Sequence, residues 1–316
     1  MDAVTRVRHA MNQEPVDRIP VGFYTHFSDQ RDNTVADQVK WALDSRMDYL
    51  CIETDGFMEF DWDQPLTSPA DWGRIRPHKA DDRYIQGQVD RAGRIAEGFG
   101  DKCASFYMFY TPYSTIKHTL GGETLVNEFY RADPAAIEHA MAVIDQDNAL
   151  VMEELKKKTN LTGLFLSIQN AEYWRFSVEE YREKMTPWDI KMMDAASRAF
   201  HDNIIHLCSW GNEPNHMEVW KDYDYRTVNW GMHIEVNMSL AESKNFFRKG
   251  TTLMGGFDVR PGKLIINGTE QEIKDYTKSL IKEAGDWSYM ISGDCSLQKE
   301  TPIEHIRAIV EATEEY

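Results

Sequence analysis

The sequence predicts an α/β protein, a single (β/α)8 TIM barrel with an insertion after strand 2. Short runs rich in β-branched and aromatic residues alternate with amphipathic helical patterns from one end of the chain to the other. There are eight such strand candidates, each followed by helical sequence, and this alternation is typical of βαβ units in a parallel sheet. No G-x-G-x-x-G follows the first strand, which disfavours an open dinucleotide-binding sheet.

The predicted strands are short apolar segments bounded by turn residues. In chain order they cover residues 19–25, 48–55, 103–111, 161–169, 203–209, 227–235, 252–259 and 288–296. The predicted helices cover residues 34–46, 123–159 with a break near Asp133, 177–200, 213–222, 240–250, 269–285 and 302–316. Segment 56–102 is rich in Asp, Gly, Pro and Arg, and we interpret it as an insertion that covers the barrel mouth. With no linker or internal repeat, residues 1–316 are expected to form one domain.

The composition narrows the class of protein to an enzyme of the cytoplasm. The 316 residues include 35 Lys and Arg against 52 Asp and Glu, a formal net charge of -17. Binding to nucleic acid or to an anionic membrane surface requires a basic footprint, so neither partner is expected. No basic and apolar leader opens the chain, and no apolar run approaches the roughly 20 residues of a membrane span. Four cysteines in a chain of this length do not form a disulfide framework and suit a reducing compartment.

Polar side chains stand at the predicted carboxyl ends of the strands, where barrels of this kind carry their chemistry. Asp55 follows a buried strand, where it either caps the next turn or has a functional role. Six further residues share this location and are predicted to bind a small-molecule substrate. They are His26, Glu53, Tyr110, Gln169, His233 and Asp258.

The run NIIHLCSWGN places an imidazole and a thiol at the end of the fifth strand. Residues i and i+2 of a strand point to the same face, so His206 and Cys208 share one side. Cys295 reaches the matching end of the eighth strand. A Cys2His set with an open fourth position is the ligand composition of a catalytic zinc. Cys51 and Cys103 are interpreted as buried core residues instead.

The fourth zinc position has two candidates on the sixth predicted strand. His233 and Glu235 have the same parity there, so either side chain could bind the metal or support its ligands. We favour Glu235 as a metal ligand with a catalytic role, because a carboxylate is a weaker ligand for a soft metal and is displaced more easily by substrate. The sequence alone does not choose between them.

Several stretches carry a resemblance to a known family. They are RVRHAMNQEPVDRIPVGFY, MDYLCIETD, LMGGFDVRPGKLIINGTEQEI and GDCSLQKETPIEHIRAIVEAT. Along essentially its whole length the chain resembles the uroporphyrinogen decarboxylase superfamily. This resemblance implies a TIM barrel that often forms a homodimer. It also implies a catalytic role for Asp55, which stands at the end of MDYLCIETD.

Within this superfamily the chain is most similar to the zinc-dependent corrinoid methyltransferase branch. The decarboxylases carry an Arg-Gln-Ala-Gly-Arg-Tyr run after strand 1, which holds substrate carboxylates. Here that place reads YTHFSDQRDN, with Arg31 only. The methyltransferases bind zinc through an H-x-C pair and a distant Cys, and the matching residues are His206, Cys208 and Cys295. The resemblance implies Zn2+ as cofactor and a corrinoid supplied by a partner protein.

The leading functional hypothesis is therefore a zinc-dependent methyltransferase. It would move a methyl group between a small substrate and a corrinoid protein or thiol, with zinc activating a thiol or polarising an oxygen. The acidic residues Glu53, Asp55 and Glu235 would repel an anionic thiol, which favours a neutral donor such as a methoxylated compound. Two alternatives stay open. One is a decarboxylase that uses Asp55 on a tetrapyrrole, and the other is a non-catalytic tetrapyrrole- or corrinoid-binding protein.

Overall fold

Eight parallel strands form a closed barrel at the centre of the computed structural model, which describes residues 1–27 and 34–316. The strands are β1 (Gly22–Phe23), β2 (Tyr49–Ile52), β3 (Ala104–Tyr110), β4 (Gly163–Ile168), β5 (Asp202–Leu207), β6 (Thr227–Trp230), β7 (Thr252–Phe257) and β8 (Tyr289–Gly293). Each pairs in parallel with the next strand of the chain. A parallel bridge between Val21 and Ile291 closes the barrel from β8 to β1. The predicted fold is confirmed.

The helices surround this barrel and connect its strands. They are α1 (Ala3–Met11), α2 (Val35–Ser45), α3 (Pro69–Trp72), α4 (Arg83–Phe99), α5 (Pro112–Leu120), α6 (Leu125–Ala132), α7 (Pro134–Lys158), α8 (Val178–Lys184), α9 (Thr186–Ala199), α10 (Leu240–Ser243), α11 (Leu264–Asn267), α12 (Glu270–Ala284) and α13 (Ile303–Glu314). In the described part of the chain, none of these helices has the length and apolarity needed to cross a bilayer.

Local sequence explains where α7 begins. The predicted break near Asp133 is confirmed, because the Asp133 side chain caps α7 by accepting the Ala136 N–H at 3.1 Å. Two predicted helices are much shorter than expected. Segment 213–222 forms only the 3-10 turn Met217–Val219, and segment 240–250 forms only α10.

Segment 56–102 was only partly an insertion, and this corrects the sequence interpretation. Its second part is α4, the regular helix that follows β2 and packs against α2 and α7. Apolar residues recur along α4 at helical spacing and are buried, among them Ile85, Val89 and Ile95. The true insertion is 56–82, whose aromatic residues pack beside the helices that follow β3. It does not line the cavity described below.

Buried ion pairs fix the amino-terminal end of the barrel. The Asp48 carboxylate accepts hydrogen bonds from Arg6 and Arg18, each at 2.6 Å, and from the Val21 N–H at 2.9 Å. These contacts hold β1 beside β2, and α1 packs over the same end of the barrel interior. Because this end is closed by structural contacts, the opposite end is available for chemistry.

Candidate active site

The predicted His–Cys–Cys set meets at the carboxyl end of the barrel. His206 lies on β5, and Cys208 continues this strand by donating its N–H to the Ile168 carbonyl at 2.9 Å. Cys295 follows β8. Their ligand atoms lie within 4.8 Å of one another, and the two sulfurs are 4.0 Å apart. This spacing could hold one metal ion between the three side chains.

The His206 imidazole is buried and oriented by aromatic neighbours. Its ring stacks on Phe165 with centroids 5.3 Å apart, and its Nε2 lies 3.4 Å from the Tyr24 hydroxyl. Its Nδ1 has no hydrogen-bond partner among the described residues. A buried polar atom without a partner is costly, and a bound cation would satisfy it. The donor set therefore fits a metal ion.

The two sulfurs of this set are electrostatically different. The hydrogen bond between them raises the pKa of the Cys208 thiol, and burial acts in the same direction. The same hydrogen bond lowers the pKa of Cys295, with further lowering by His206. Cys51 and Cys103 are fully buried, and burial raises the pKa of each thiol well above its usual value. They lie in the core, as the sequence predicted.

An imidazole between two carboxylates occupies the other side of the barrel mouth. His26 Nδ1 lies 2.7 Å from Asp55 Oδ1, and His26 Nε2 lies 3.7 Å from Glu53 Oε1. Asp55 also accepts the Phe27 N–H at 2.9 Å, while Glu53 accepts the Tyr110 hydroxyl at 3.3 Å. Each of these side chains is thus held by a neighbour on an adjacent element.

The protonation of this group is set by burial and by its own charges. Burial raises the pKa of Glu53 to about 7, although the His26 imidazolium opposes this shift. The Glu53 carboxylate raises the pKa of His26 to about 9, against the effect of burial and with help from Asp55. Near neutral pH the group therefore holds a protonated imidazole beside a carboxyl that is close to its own pKa.

Arg91 supports this group and was missed in the sequence. Its guanidinium is fully buried on α4 and donates to the main-chain carbonyl of Asp55 at 2.6 Å and to that of Glu53. Arg91 fixes the chain between the two carboxylates without touching their side chains. It was overlooked because segment 56–102 was interpreted as an insertion, so no helix was expected behind β2.

Gln169 is held by a second residue that the sequence analysis did not single out. The buried Lys117 ammonium donates to Gln169 Oε1 at 2.9 Å and lies 3.3 Å from Glu123. An ammonium can only donate, so the Gln169 oxygen must face Lys117. The Gln169 amide nitrogen then donates to the Ser167 hydroxyl at 3.0 Å. This arrangement leaves one Gln169 N–H for a ligand.

These groups share one small cavity at the barrel mouth. The lining side chains come from strand ends or follow them directly: Tyr24, His26, Glu53, Met108, Tyr110, Ser167, Gln169, His206, Cys208, Cys295 and Ser296. Four predicted substrate-binding residues are in this set. Asp55 stands directly behind His26. Arg31 lies outside the described residues.

His233, Glu235 and Asp258 do not line this cavity. β6 ends at Trp230, and the Glu235 N–H donates to the Gly231 carbonyl at 2.8 Å in a helical turn. The expectation that His233 and Glu235 share a strand face is therefore wrong. His233 pairs with Asp294 at 2.9 Å. Asp258 pairs with Arg260 at 2.6 Å.

Glu235 is held behind the cysteine rather than beside it. Its carboxylate accepts the Ser209 hydroxyl at 2.6 Å, and the Asn215 N–H and side-chain amide at 2.8 and 2.7 Å. Asn215 also donates to the Cys208 carbonyl at 3.2 Å. Glu235 is not among the residues gathered with His206 and the two sulfurs. In this arrangement the carboxylate supports the loop that carries Cys208.

The barrel and its mouth define an enzyme-like (β/α)8 protein, and sequence comparison gives its family. Residues 61–316 match the profile of the family described as Uroporphyrinogen decarboxylase (URO-D), so the chain belongs to this family. A curated relative, the uroporphyrinogen decarboxylase of Mesorhizobium japonicum, is 20% identical over 258 residues, which cover 78% of this chain and 70% of the relative.

Two solved structures show the same fold. A methyltransferase from Methanosarcina mazei superposes with a TM-score of 0.71 at 14% identity, covering 100% of this chain and 99% of that one. A B12-independent methionine synthase from Shewanella sp. W3-18-1, in complex with selenomethionine, gives a TM-score of 0.55 at 11% identity, covering 94% and 97%. Identities this low show the fold alone.

Proposed function

We propose that the protein is a zinc-dependent methyltransferase that moves a methyl group between a small substrate and a corrinoid protein or thiol. The observation that carries this proposal is the meeting of His206, Cys208 and Cys295 at one point of the cavity. The His206 Nδ1 atom, which has no hydrogen-bond partner in the described part of the chain, supports it. Two thiolates and one imidazole select a borderline-soft cation such as zinc and leave a position for substrate. Bound zinc would supply Lewis acidity at a substrate oxygen or sulfur.

The surrounding residues suit such a centre. The Tyr24 hydroxyl and the Phe165 ring hold the His206 imidazole in one orientation. Asn215 and Glu235 hold the main chain at Cys208, so the sulfur would be kept in position to bind a metal ion. We therefore assign Glu235 a supporting role, and the fourth metal position is left to substrate or water.

The cavity suits a small, uncharged methyl donor such as a methoxylated aromatic compound. Tyr24, Met108 and Tyr110 provide an apolar and aromatic wall, and Ser167 and Gln169 provide polar contacts. Among the described residues that line it, none is Lys or Arg, and Glu53 adds acidity. An anionic thiol would meet no guanidinium or ammonium here, whereas a neutral ring would pack against the aromatic side chains.

A decarboxylase acting on a tetrapyrrole is the second candidate, and the family match together with Asp55 at the end of the β2 segment favours it. The site supports it less well. Asp55 directs its carboxylate to His26 and to the Phe27 N–H rather than into the cavity. A substrate bearing several carboxylates would need arginine partners, which the described lining residues do not provide.

Methyl transfer to a free corrinoid tests the proposal. Zinc-loaded protein is mixed with cob(I)alamin and 2-methoxyphenol, and methylcobalamin is followed by its absorption. We expect methylcobalamin with the native protein and none with Cys208→Ser, while Cys103→Ser serves as the matched control in the core. Absence of transfer from methoxylated, hydroxylated and thioether donors, together with loss of carboxylates from uroporphyrinogen, would establish the second candidate instead.

We also propose that the protein acts in the cytoplasm. Its cysteines are free, and thiols stay reduced in that compartment.

A further inference from the structure

The group formed by His26, Glu53 and Asp55 faces the same cavity as the cysteines, and the metal centre does not explain it. We propose that Glu53 and His26 form a proton-donating pair that protonates the oxygen released from the methyl donor, which makes the substrate class methyl ethers and methyl alcohols. This inference rests on the proposed methyl transfer. It assigns Glu53 and His26 to catalysis and makes Asp55 a positioning residue.

The geometry gives each member of the group a distinct position. Glu53 and His26 both line the cavity, and Cys208 and Cys295 line it as well. Asp55 does not line it and instead fixes His26 Nδ1 at 2.7 Å, so the other ring nitrogen is directed at Glu53 Oε1, 3.7 Å away. The three side chains form a proton relay. Glu53 is the acid that would contact the substrate, His26 passes protons to it, and Asp55 orients the His26 ring.

The charges of the group favour one mobile proton. The Glu53 side chain is 2% exposed, and its carboxyl bonds to no Lys or Arg side chain in the described part of the chain. Two full carboxylates, those of Glu53 and Asp55, would therefore share a single imidazolium. Burial raises the pKa of Glu53 to about 7, so the neutral acid is populated at physiological pH. Six other ionisable side chains influence one or both of these groups. They are Asp55 after β2, Cys51 on β2, Tyr24 after β1, Tyr110 on β3, His118 on α5 and Cys295 after β8.

The chemistry requires a proton when oxygen is the leaving atom. The bond between the methyl carbon and the oxygen breaks, and both electrons stay on the oxygen. The methyl carbon forms its new bond with the electron pair of a Co(I) corrinoid. The oxygen takes the proton of Glu53, and the resulting carboxylate recovers a proton through His26 from solvent, to which His26 is partly exposed. A sulfonium or quaternary ammonium donor leaves as a neutral molecule and needs no such proton.

A leaving-group series tests this assignment. Native protein and Glu53→Gln are assayed with cob(I)alamin and methoxybenzenes that carry a para hydroxyl, hydrogen, chloro or nitro group. General acid catalysis typically contributes about 100- to 10,000-fold. We expect Glu53→Gln to lower kcat about 100-fold or more for the hydroxyl compound, and progressively less as the released phenol becomes more acidic. Trimethylsulfonium should be used equally well by both proteins.

Controls separate this proposal from the proposed function. Glu138→Gln, on the exposed face of α7, should leave every rate unchanged, and zinc content should be equal in all variants. If Glu53→Gln does not fold, His26→Asn replaces it and should show the same dependence on the leaving group. An equal loss across the whole series, or no loss, would overturn the proton-donating role. Transfer from sulfonium donors but from no ether would overturn it while leaving methyl transfer standing, and transfer from no donor would overturn both.

Discussion

The two sides of the cavity use similar side chains for different chemistry. On the sulfur side, formed by His206, Cys208 and Cys295, the imidazole has a buried nitrogen that finds no partner among residues 1–27 and 34–316. On the acid side, formed by His26, Glu53 and Asp55, both ring nitrogens face carboxylates. An imidazole that binds a metal needs a free lone pair, whereas one that moves protons needs partners at both nitrogens. Hydrogen-bond satisfaction, rather than residue type, therefore distinguishes the two sides.

The largest expected effect comes from removing a sulfur. Cys208→Ser and Cys295→Ser should each lower zinc affinity by more than about 100-fold, because a hydroxyl is a poor replacement for thiolate and even changes to supporting residues cost about 10- to 100-fold. Cys51→Ser and Cys103→Ser should keep the metal. Zinc is measured by atomic emission on the folded fraction, and an equal loss in all four variants would show that the sulfur side is wrongly assigned.

The protonation state of Glu53, on the acid side, should determine how the rate of methyl transfer depends on pH. Its active form carries the proton of Glu53, whose pKa burial raises to about 7. Transfer from an aryl methyl ether should therefore be constant below this pKa and fall about tenfold per pH unit above it. Glu53→Gln should remove this dependence. A rate that rises through the same range would show that Glu53 acts as a base, contrary to the assignment.

Lys117 should affect substrate binding more than catalysis. Lys117→Met removes the ammonium that orients Gln169, so the amide can turn and its N–H is no longer fixed toward the substrate. We expect KM to rise about tenfold, corresponding to about 1.4 kcal/mol, with a small change in kcat. The exposed Lys221→Met is the matched control. A large fall in kcat at constant KM would argue against this positioning role.

Glu235 should give the smallest effect on activity. Glu235→Gln weakens the contacts with Ser209 and Asn215, so the free energy of unfolding should fall by about 1–3 kcal/mol. Zinc content and the X-ray absorption spectrum of the metal should stay unchanged. Loss of an oxygen ligand from that spectrum would show that Glu235 binds the metal, as the strand pattern had suggested.

The sequence predicted the parts of the site that depend on strand order. Strand ends meet at one mouth, so the distant Cys295 could be placed beside His206 and Cys208. The rule that residues i and i+2 of a strand share a face gave a wrong prediction for His233 and Glu235. β6 ends at Trp230, and the chain then enters a helical turn. A strand pattern does not show where pairing stops.

Residues that act from helices were harder to predict. Arg91 and Lys117 reach the site from α4 and α5, and in the sequence each looks like an ordinary surface cation of an amphipathic helix. Nothing in the spacing of such residues indicates that their side chains are buried and point inward. The buried Gln88 and Arg91 made the apolar face of α4 less clear, which also hid the true limit of the insertion.

X-ray absorption by the zinc in the native protein tests the central claim most directly. Protein purified without chelator should contain about one equivalent of zinc, with two sulfur atoms at about 2.3 Å and a nitrogen at about 2.0–2.1 Å. The remaining ligand should be a light atom that changes when substrate is added. Less than half an equivalent of zinc, or a spectrum without sulfur neighbours, would contradict the account.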